Sequence, residues 1–354
     1  LLFDKVVPDF AAIHSSVELA KRNINRRSSS MVNAVMRNIQ RFNDVNDDWK
    51  KTLIKDKVYL AYPDWLVKKW KLQFGSTETL KLCSTLLLKN DMYIRLNVEK
   101  LNIEEMYSIL LKEKIEVSEH KDLKYFFKVN SGREKILDNS LFKSGIISIQ
   151  DPASGAVVNL VDPQKDEFIL DACAAPGTKS LLMAQKVGVN GKVSAYDIND
   201  SRVTQGKKDI LRHNYKNIDW YVADASKDDY PIYKKILIDV PCSGTGVIGR
   251  RPDIKWRLKE GDIKKMSGLQ KSILANMSKY LEPGGKIVYS TCSLEKEENE
   301  DVVNDFLAKR KDFKLVVSNS LLPDNWITSN GFMFAFPNKT NTDGLFAAVL
   351  QKVN

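Results

Sequence analysis

Apolar residues recur every three to four positions across residues 10–42, the spacing that gives a helix one buried face. Ser28, Ser29 or Ser30 is placed as the N-cap of the run 31–39. A further helix is expected to begin at Asp64, directly after Pro63, and to continue through Trp65, Leu66 and Trp70. The pattern then mixes periods: 92–98 alternates like a strand, 103–112 like a helix, 115–117 and 125–129 like two short strands, and another strand follows 133–137 at 146–150. This order suits a βαββαβ module resembling an RNA-recognition fold, although a fold alone does not establish RNA binding. Beyond about residue 160, strands at 168–172, 192–197, 220–223, 235–240 and 286–290 alternate with helices starting at Thr178 and Ser201 and a long one across 262–281. Segments 332–336 and 345–351 are placed to close the sheet. Such alternation predicts a mostly parallel, Rossmann-like α/β sheet covered on both faces. Three parts are expected: a helical segment at 1–48, a helical linker with the small α+β module at 49–140, and the α/β domain at 141–354.

Composition narrows the setting. No apolar run approaches the roughly 18 residues that would suggest a membrane span, and the start carries neither the charged nor the apolar part of a signal peptide. A cytoplasmic chain is expected. It opens at Leu1 inside an amphipathic pattern, as the remainder of a longer chain would. Lys and Arg outnumber Asp and Glu by 55 to 45, and the resulting charge of +10 favours a polyanion such as nucleic acid, the plainer reading being a solvated lysine-rich surface. Between Lys50 and Lys71 seven lysines face only Asp56 and Asp64, with Tyr59, Tyr62, Trp65 and Trp70 interleaved. That mixture suits phosphate contacts beside stacking surfaces. Cys83, Cys173, Cys242 and Cys292 show no close pairing and His14, His120 and His213 are scattered, so neither a metal site nor a disulfide framework is expected.

In open α/β sheets ligands bind beyond the carboxyl ends of the strands. The first strand of the α/β part is followed by Asp171, Ala172, Cys173, Ala174, Ala175, Pro176, Gly177, Thr178, Lys179 and Ser180, small residues that let the backbone pass close to a nucleoside-like cofactor. Neither the P-loop spacing nor the GxGxxG fingerprint is present. The second strand ends at Asp197, where a carboxylate can accept from ribose hydroxyls, and the third at Asp224, where it can accept from an adenine amine. Either aspartate alone reads as a cap or turn former; their repetition favours a cofactor site. Two further strand ends deliver Cys242, between Pro241 and Ser243, and Cys292, after Thr291. Buried structural cysteine is the plain reading of one thiol, and two at adjacent strand ends favour chemistry. Carbon-5 of cytosine is a poor nucleophile. A thiolate added to carbon-6 makes it enamine-like and able to attack a sulfonium methyl group, provided positive neighbours or donors help ionise the thiol. Asp239, between Ile238 and Val240, is expected to stay protonated and to donate a hydrogen bond to ring nitrogen 3.

At these residues the chain resembles the RNA cytosine-5 methyltransferases of the Nop2/Sun class, most of all their bacterial members acting on 16S rRNA. Residues 171–180 resemble the family's cofactor motif, 239–246 its Pro-Cys motif and 290–293 its Thr-Cys motif. Residues 251–256 and Glu297, Glu298 and Asn299 match flanking features; 150–154, 63–66 and 92–97 resemble the segments upstream, and 32–37 the end of a NusB-like helical domain. The resemblance implies a class I methyltransferase fold, S-adenosylmethionine as cofactor and RNA as partner. It implies Cys292 as nucleophile, Cys242 as the group that assists release of the methylated base, and Lys179 and Asp239 beside them. Residues Cys173, Ala174, Ala175, Pro176, Gly177, Thr178 and Lys179, with Asp197, Arg202, Asp224 and Asp239, would form the cofactor site. Thr178 stands where a second glycine is usual and Ser180 where threonine is usual, and the NusB-like part is short. The competing expectations are a tRNA cytosine-5 methyltransferase, a non-catalytic RNA-binding assembly factor, and a DNA-type enzyme using Cys242 as nucleophile.

Overall fold

The computed structural model describes residues 7–45, 58–88, 91–317 and 321–353. The chain divides into two units, one ending at Leu88 and one beginning at Lys89. The first is helical, with α1 (Asp9–Asn23), α2 (Arg26–Val45), α3 (Asp64–Phe74) and α4 (Ser76–Leu88). α2 begins before the serines expected to cap it. The Asn25 side chain accepts from the Ser28 N–H at 2.8 Å, while the Ser29 and Ser30 hydroxyls bond back to the Arg26 carbonyl. Asparagine caps as well as serine does, and it lies one turn earlier. α3 starts at Asp64 as predicted, and its buried Leu66, Val67 and Trp70 pack on α4. Tyr62 and Trp70 are not stacking surfaces. Both are core residues, ring edge to ring face at 5.8 Å, and the Tyr62 hydroxyl donates to the Cys83 carbonyl at 2.8 Å. Tyr59 and Trp65 are half-buried, with the Lys71 ammonium 4.2 Å from the Tyr59 ring. The expected cations from Lys50 to Lys57 lie outside the described residues.

The second unit opens with β1 (Tyr93–Leu96), α5 (Ile103–Lys112), β2 (Glu116–Glu119), β3 (Phe126–Ser131), the single turn α6 (Ser140–Lys143) and β4 (Ile147–Ile149). The strands form an antiparallel sheet in the order β2-β3-β1-β4, the expected βαββαβ wiring. Asn102 and Glu105 close a capping box at the start of α5, and Met106 and Leu110 bury its inner face against Ile94, Phe127 and Ile147. β4 lies past residue 140, so this sheet carries across the boundary expected there.

The large sheet follows α7 (Pro152–Val161). It comprises β5 (Phe168–Asp171), α8 (Thr178–Val187), β6 (Lys192–Asp197), α9 (Asp200–His213), β7 (Ile218–Val222), β8 (Tyr233–Asp239), α10 (Ile254–Arg257), α11 (Glu260–Met277), β9 (Leu281–Thr291), α12 (Glu300–Lys309), β10 (Phe313–Val316), β11 (Met333–Ala335), α13 (Pro337–Thr340) and β12 (Leu345–Lys352). The order is β10-β12-β9-β8-β5-β6-β7, with β11 also on β12. β5 to β9 run parallel, and β10, β11 and β12 are antiparallel additions. One face is covered by a cluster including Val157, Leu181 and Met183, the other by one including Leu274, Val302 and Phe306. Strand order reverses between β5 and β8, which opens a crevice at their carboxyl ends. Among the described residues no helix is long and apolar enough to cross a membrane.

The small sheet packs against α7, one of the helices that cover the large sheet. A Cβ at Gly155 of α7 would lie 2.1 Å from Cζ of Phe126 on β3. Gly155→Val should therefore force the Phe126 ring out of place, destabilising the fold by about 1–3 kcal/mol. Thermal melting would register this as a midpoint several degrees lower, and an unchanged midpoint would show that the ring yields freely.

Candidate active site

The loop after β5 is shaped by contacts to the next strand. The Ala174 N–H donates to the Tyr196 carbonyl at 2.8 Å, and the Ala175 N–H to the Asp197 carboxylate at 3.1 Å. The Arg202 guanidinium donates to the Ala175 carbonyl and lies 3.6 Å from Asp197. Gly177 turns the chain into α8 at a φ of +106°, and a Cβ there would meet Trp220 at 2.8 Å, so both conformation and space call for glycine. Ser180 donates to Asp171 at 2.7 Å, and burial pushes that carboxyl up to about 7.

Asp197 and Asp224 form local turns and also border the cleft. Asp197 accepts from the N–H groups of Ala175 and Asn199, and Asp224 from the N–H and hydroxyl of Ser226 at 2.9 and 2.6 Å. The Ser226 bonds hold Asp224 below the usual carboxylate range. Both residues also line a cleft of about 1000 Å³ at the switch point. Cys173, Ala175, Pro176, Arg202, Asp239, Cys242 and Cys292 share its wall. Ala174, Gly177, Thr178 and Lys179, expected there too, do not line it. They build the loop, and Lys179 reaches past it to Asp239. Burial pushes the Cys173 thiol up, which leaves it a wall rather than a reagent.

Parallel pairing of β8 and β9 sets Asp239 opposite Ser290. Cys242 and Cys292 follow a few residues on, and their sulfurs meet at 3.1 Å. Asp239, read from the sequence as a group able to donate to ring nitrogen 3, has both oxygens engaged by its neighbours. One oxygen accepts from the Ser290 hydroxyl at 2.7 Å and the other from the Lys179 ammonium at 2.6 Å. The ammonium can only donate, so the carboxyl oxygen it meets is an acceptor. Burial pulls the Lys179 ammonium down, but the charge and hydrogen bond of Asp239 outweigh it and the net shift is upward. The two reactive-candidate thiols are displaced in opposite directions. A hydrogen bond from Cys242, helped by Lys179 and opposed by burial, lowers Cys292; the same bond, with burial, raises Cys242.

The frame beneath the thiols had no role assigned from sequence. The buried Glu298 carboxylate accepts from the Ser243 N–H at 3.0 Å and from its hydroxyl at 3.2 Å. Gly246 N–H donates to the Cys292 carbonyl at 2.9 Å, and Leu294 N–H to the Thr245 hydroxyl at 2.9 Å. Asn299 accepts from Thr291 and donates to the Ser293 carbonyl. A Cβ at Gly246 would fall 2.1 Å from the Gly344 carbonyl, so the loops touch backbone to backbone. Glu298 and Asn299 stood out only through the family resemblance. Spacing gives no hint that a buried carboxylate would bridge two loops 55 residues apart.

Residues 158–351 match the family described as 16S rRNA methyltransferase RsmB/F, residues 62–133 its ferredoxin-like domain, and residues 1–41 the NusB family. The chain is 33% identical to the probable ribosomal RNA small subunit methyltransferase B of Bacillus subtilis, over 98% of this chain and 79% of that protein. It is 32% identical to ribosomal RNA small subunit methyltransferase B of Shewanella oneidensis, over 98% and 78%. The crystal structure of PH0851 superposes with a TM-score of 0.82 at 28% identity, covering 97% of this chain and 77% of that one. NSun6 from Pyrococcus horikoshii with SFG gives 0.75 at 23% identity, over 84% and 100%, a likeness of fold. The cofactor is S-adenosylmethionine. The cleft fits it: carboxylates at the ends of β6 and β7 retain lone pairs for a nucleoside, and Ala172, Cys173 and Ala175 keep the wall low. No group of three or more His, Cys, Asp or Glu among the described residues is arranged to hold a metal. Motif, fold and cleft thus agree with the comparisons, and the chain belongs to the RsmB/F family of S-adenosylmethionine-dependent rRNA methyltransferases.

Proposed function

We propose that the protein methylates carbon-5 of a cytosine in RNA, 16S rRNA first among substrates, through a covalent adduct with Cys292, and that it does so in the cytoplasm. The observation that carries this reading is the pair of thiols in contact at 3.1 Å, with the Lys179 charge acting on Cys292. The relatives named as small subunit methyltransferases support the substrate, and the sheet β2-β3-β1-β4 supports RNA. We further divide the chain into a NusB-like helical part at 1–48, a linker with the small module, and the catalytic domain.

The bound cofactor supplies an electrophilic methyl group. Cys292, the more acidic thiol, adds as thiolate to carbon-6, and the ring electrons move to carbon-5, which takes the methyl. Lys179 places a positive charge near the attacking sulfur, and Asp239 holds Lys179 in position. Forming the carbon–sulfur bond removes the partner whose hydrogen bond keeps Cys242 protonated. Cys242 then gives its proton to solvent more readily, and as thiolate it takes the carbon-5 hydrogen as a proton, leaving the electron pair of that C–H bond on the ring. Those electrons restore the ring double bond and expel Cys292 as thiolate.

Two outcomes are expected. Iodoacetamide should modify Cys292 ahead of Cys242 near neutral pH, and Cys242→Ala or Lys179→Met should move the Cys292 rate profile to higher pH. Peptide mass spectrometry reads this, and a profile that stays in place would remove the hydrogen bond and the lysine as causes. In methylation assays with small-subunit rRNA, Cys292→Ala should give neither adduct nor methyl transfer. Cys242→Ala should transfer the methyl group but stall at release, leaving a slow-migrating protein–RNA species on a denaturing gel. The reverse pattern would assign the DNA-type roles, and transfer to tRNA alone would move the substrate.

A further inference from the structure

The chain leaves Cys242 through Gly244, at a φ of +75°, into a tight turn at Thr245–Val247. The N–H groups of Arg250 and Arg251 bond to the Val247 carbonyl at 3.0 and 2.9 Å, and the short α10 follows. Ile254 is buried, and its Cδ1 lies 3.0 Å from where a Cβ on Gly244 would stand. This side chain anchors the segment 250–257 to the loop that carries Cys242. With Ile254 and Lys255 buried, Trp256 is turned outward and 63% exposed.

Arg250, Arg251 and Arg257 line the same cleft as Cys242 and Cys292. Arg250 is committed to the buried Asp343, and Arg257 to Asp253 at 3.0 Å. Arg251 is exposed and pairs with no carboxylate among the described residues. A free guanidinium and an exposed indole on one anchored rim, with Asp253 the sole acid in the segment, complement a polyanion that carries flat rings.

We infer that this rim grips the single-stranded RNA nucleotides flanking the target cytosine: Trp256 stacks on a neighbouring base and Arg251 contacts a phosphate. The inference rests on the proposed reaction, since a base that must reach the two thiols has to leave its stack, which exposes its neighbours. Stacking accounts for an exposed tryptophan, and the unpaired Arg251 charge accounts for a backbone contact. Arg250 and Arg257, already neutralised by carboxylates, frame the opening.

Binding tests the rim without turnover. A fluorescent oligouridylate with one cytidine is titrated with the whole chain over a range of salt. Trp256→Ala should weaken binding roughly tenfold, and the penalty should vanish when the nucleotides beside the cytidine are abasic. Arg251→Ala should lower the slope of log affinity against log salt by about one, and Arg251→Lys should restore it. Melting curves establish that each variant is folded. An equal Trp256→Ala penalty on base-bearing and abasic RNA overturns the stacking. Unchanged affinity and slope overturn the rim as an RNA contact, the result expected if it served an acidic protein instead. Methyl transfer to small-subunit rRNA by the unaltered protein is followed in parallel. Its absence with both binding effects intact would count against the reaction and leave the rim standing.

Discussion

The register of β8 on β9 is the constraint on which the site depends. With Asp239 opposite Ser290, the two strands end together, and their loops leave toward the same point. A one-residue slip would send alternate side chains to the other face of the sheet. Register alone would leave two independent loops. Glu298 joins them by taking the Ser243 N–H, and Gly246 closes the gap by donating to the Cys292 carbonyl. The carboxylate is buried, and its pKa is raised by that burial, yet the protein tolerates it because its oxygens are satisfied by Ser243. Such a buried group adds little net stability; its effect is to specify one loop arrangement.

Within that frame, two identical side chains meet unlike surroundings. Neither thiol differs in covalent structure, so the asymmetry comes from their surroundings, above all from the Lys179 cation that favours the Cys292 thiolate. Lys179 can supply charge because Asp239 offsets its burial, and Asp239 is held in turn by Ser290 of the neighbouring strand. The chain of dependence therefore returns to the same strand pair. An aspartate donor to the base would have required this carboxyl to be free of cations, and Lys179 is the reason it is not.

Much of this was legible in the sequence because it follows from local rules. Strand–helix alternation gave the parallel sheet, and position after a strand gave both thiols and the aspartates. Pairing across the fold was not legible. Lys179 meets Asp239 across 60 residues, and no local rule couples them, so the flanking apolar Ile238 and Val240 pointed to a neutral acid. Likewise Tyr62 and Trp70 sit among lysines in sequence, but helical spacing carries Trp70 inward, and the Tyr62 hydroxyl finds a buried carbonyl. α12 and β10, which complete one side of the sheet, were not picked out from the sequence, although α12 is as long as α5, which was.

The small sheet is joined to the helix layer over the large sheet by a buried cation as well as by apolar contacts. Arg95 on β1 donates to Gln150 and to Gln185 of α8, each at 2.6 Å. Its neighbours are amides, and burial lowers its pKa to about 10, which still leaves it charged at neutral pH. A charged guanidinium held by neutral carbonyls has few equivalent positions, since any rotation would strand it without acceptors. Gln185 lies near the end of the helix that begins at the cofactor loop, and Gln150 also reaches the Thr178 carbonyl at that helix's start. The helix is thus referenced to the small sheet at both ends. The small module and the loop that shapes the cofactor cleft consequently share one fixed frame, which is what transfer between two bound molecules requires.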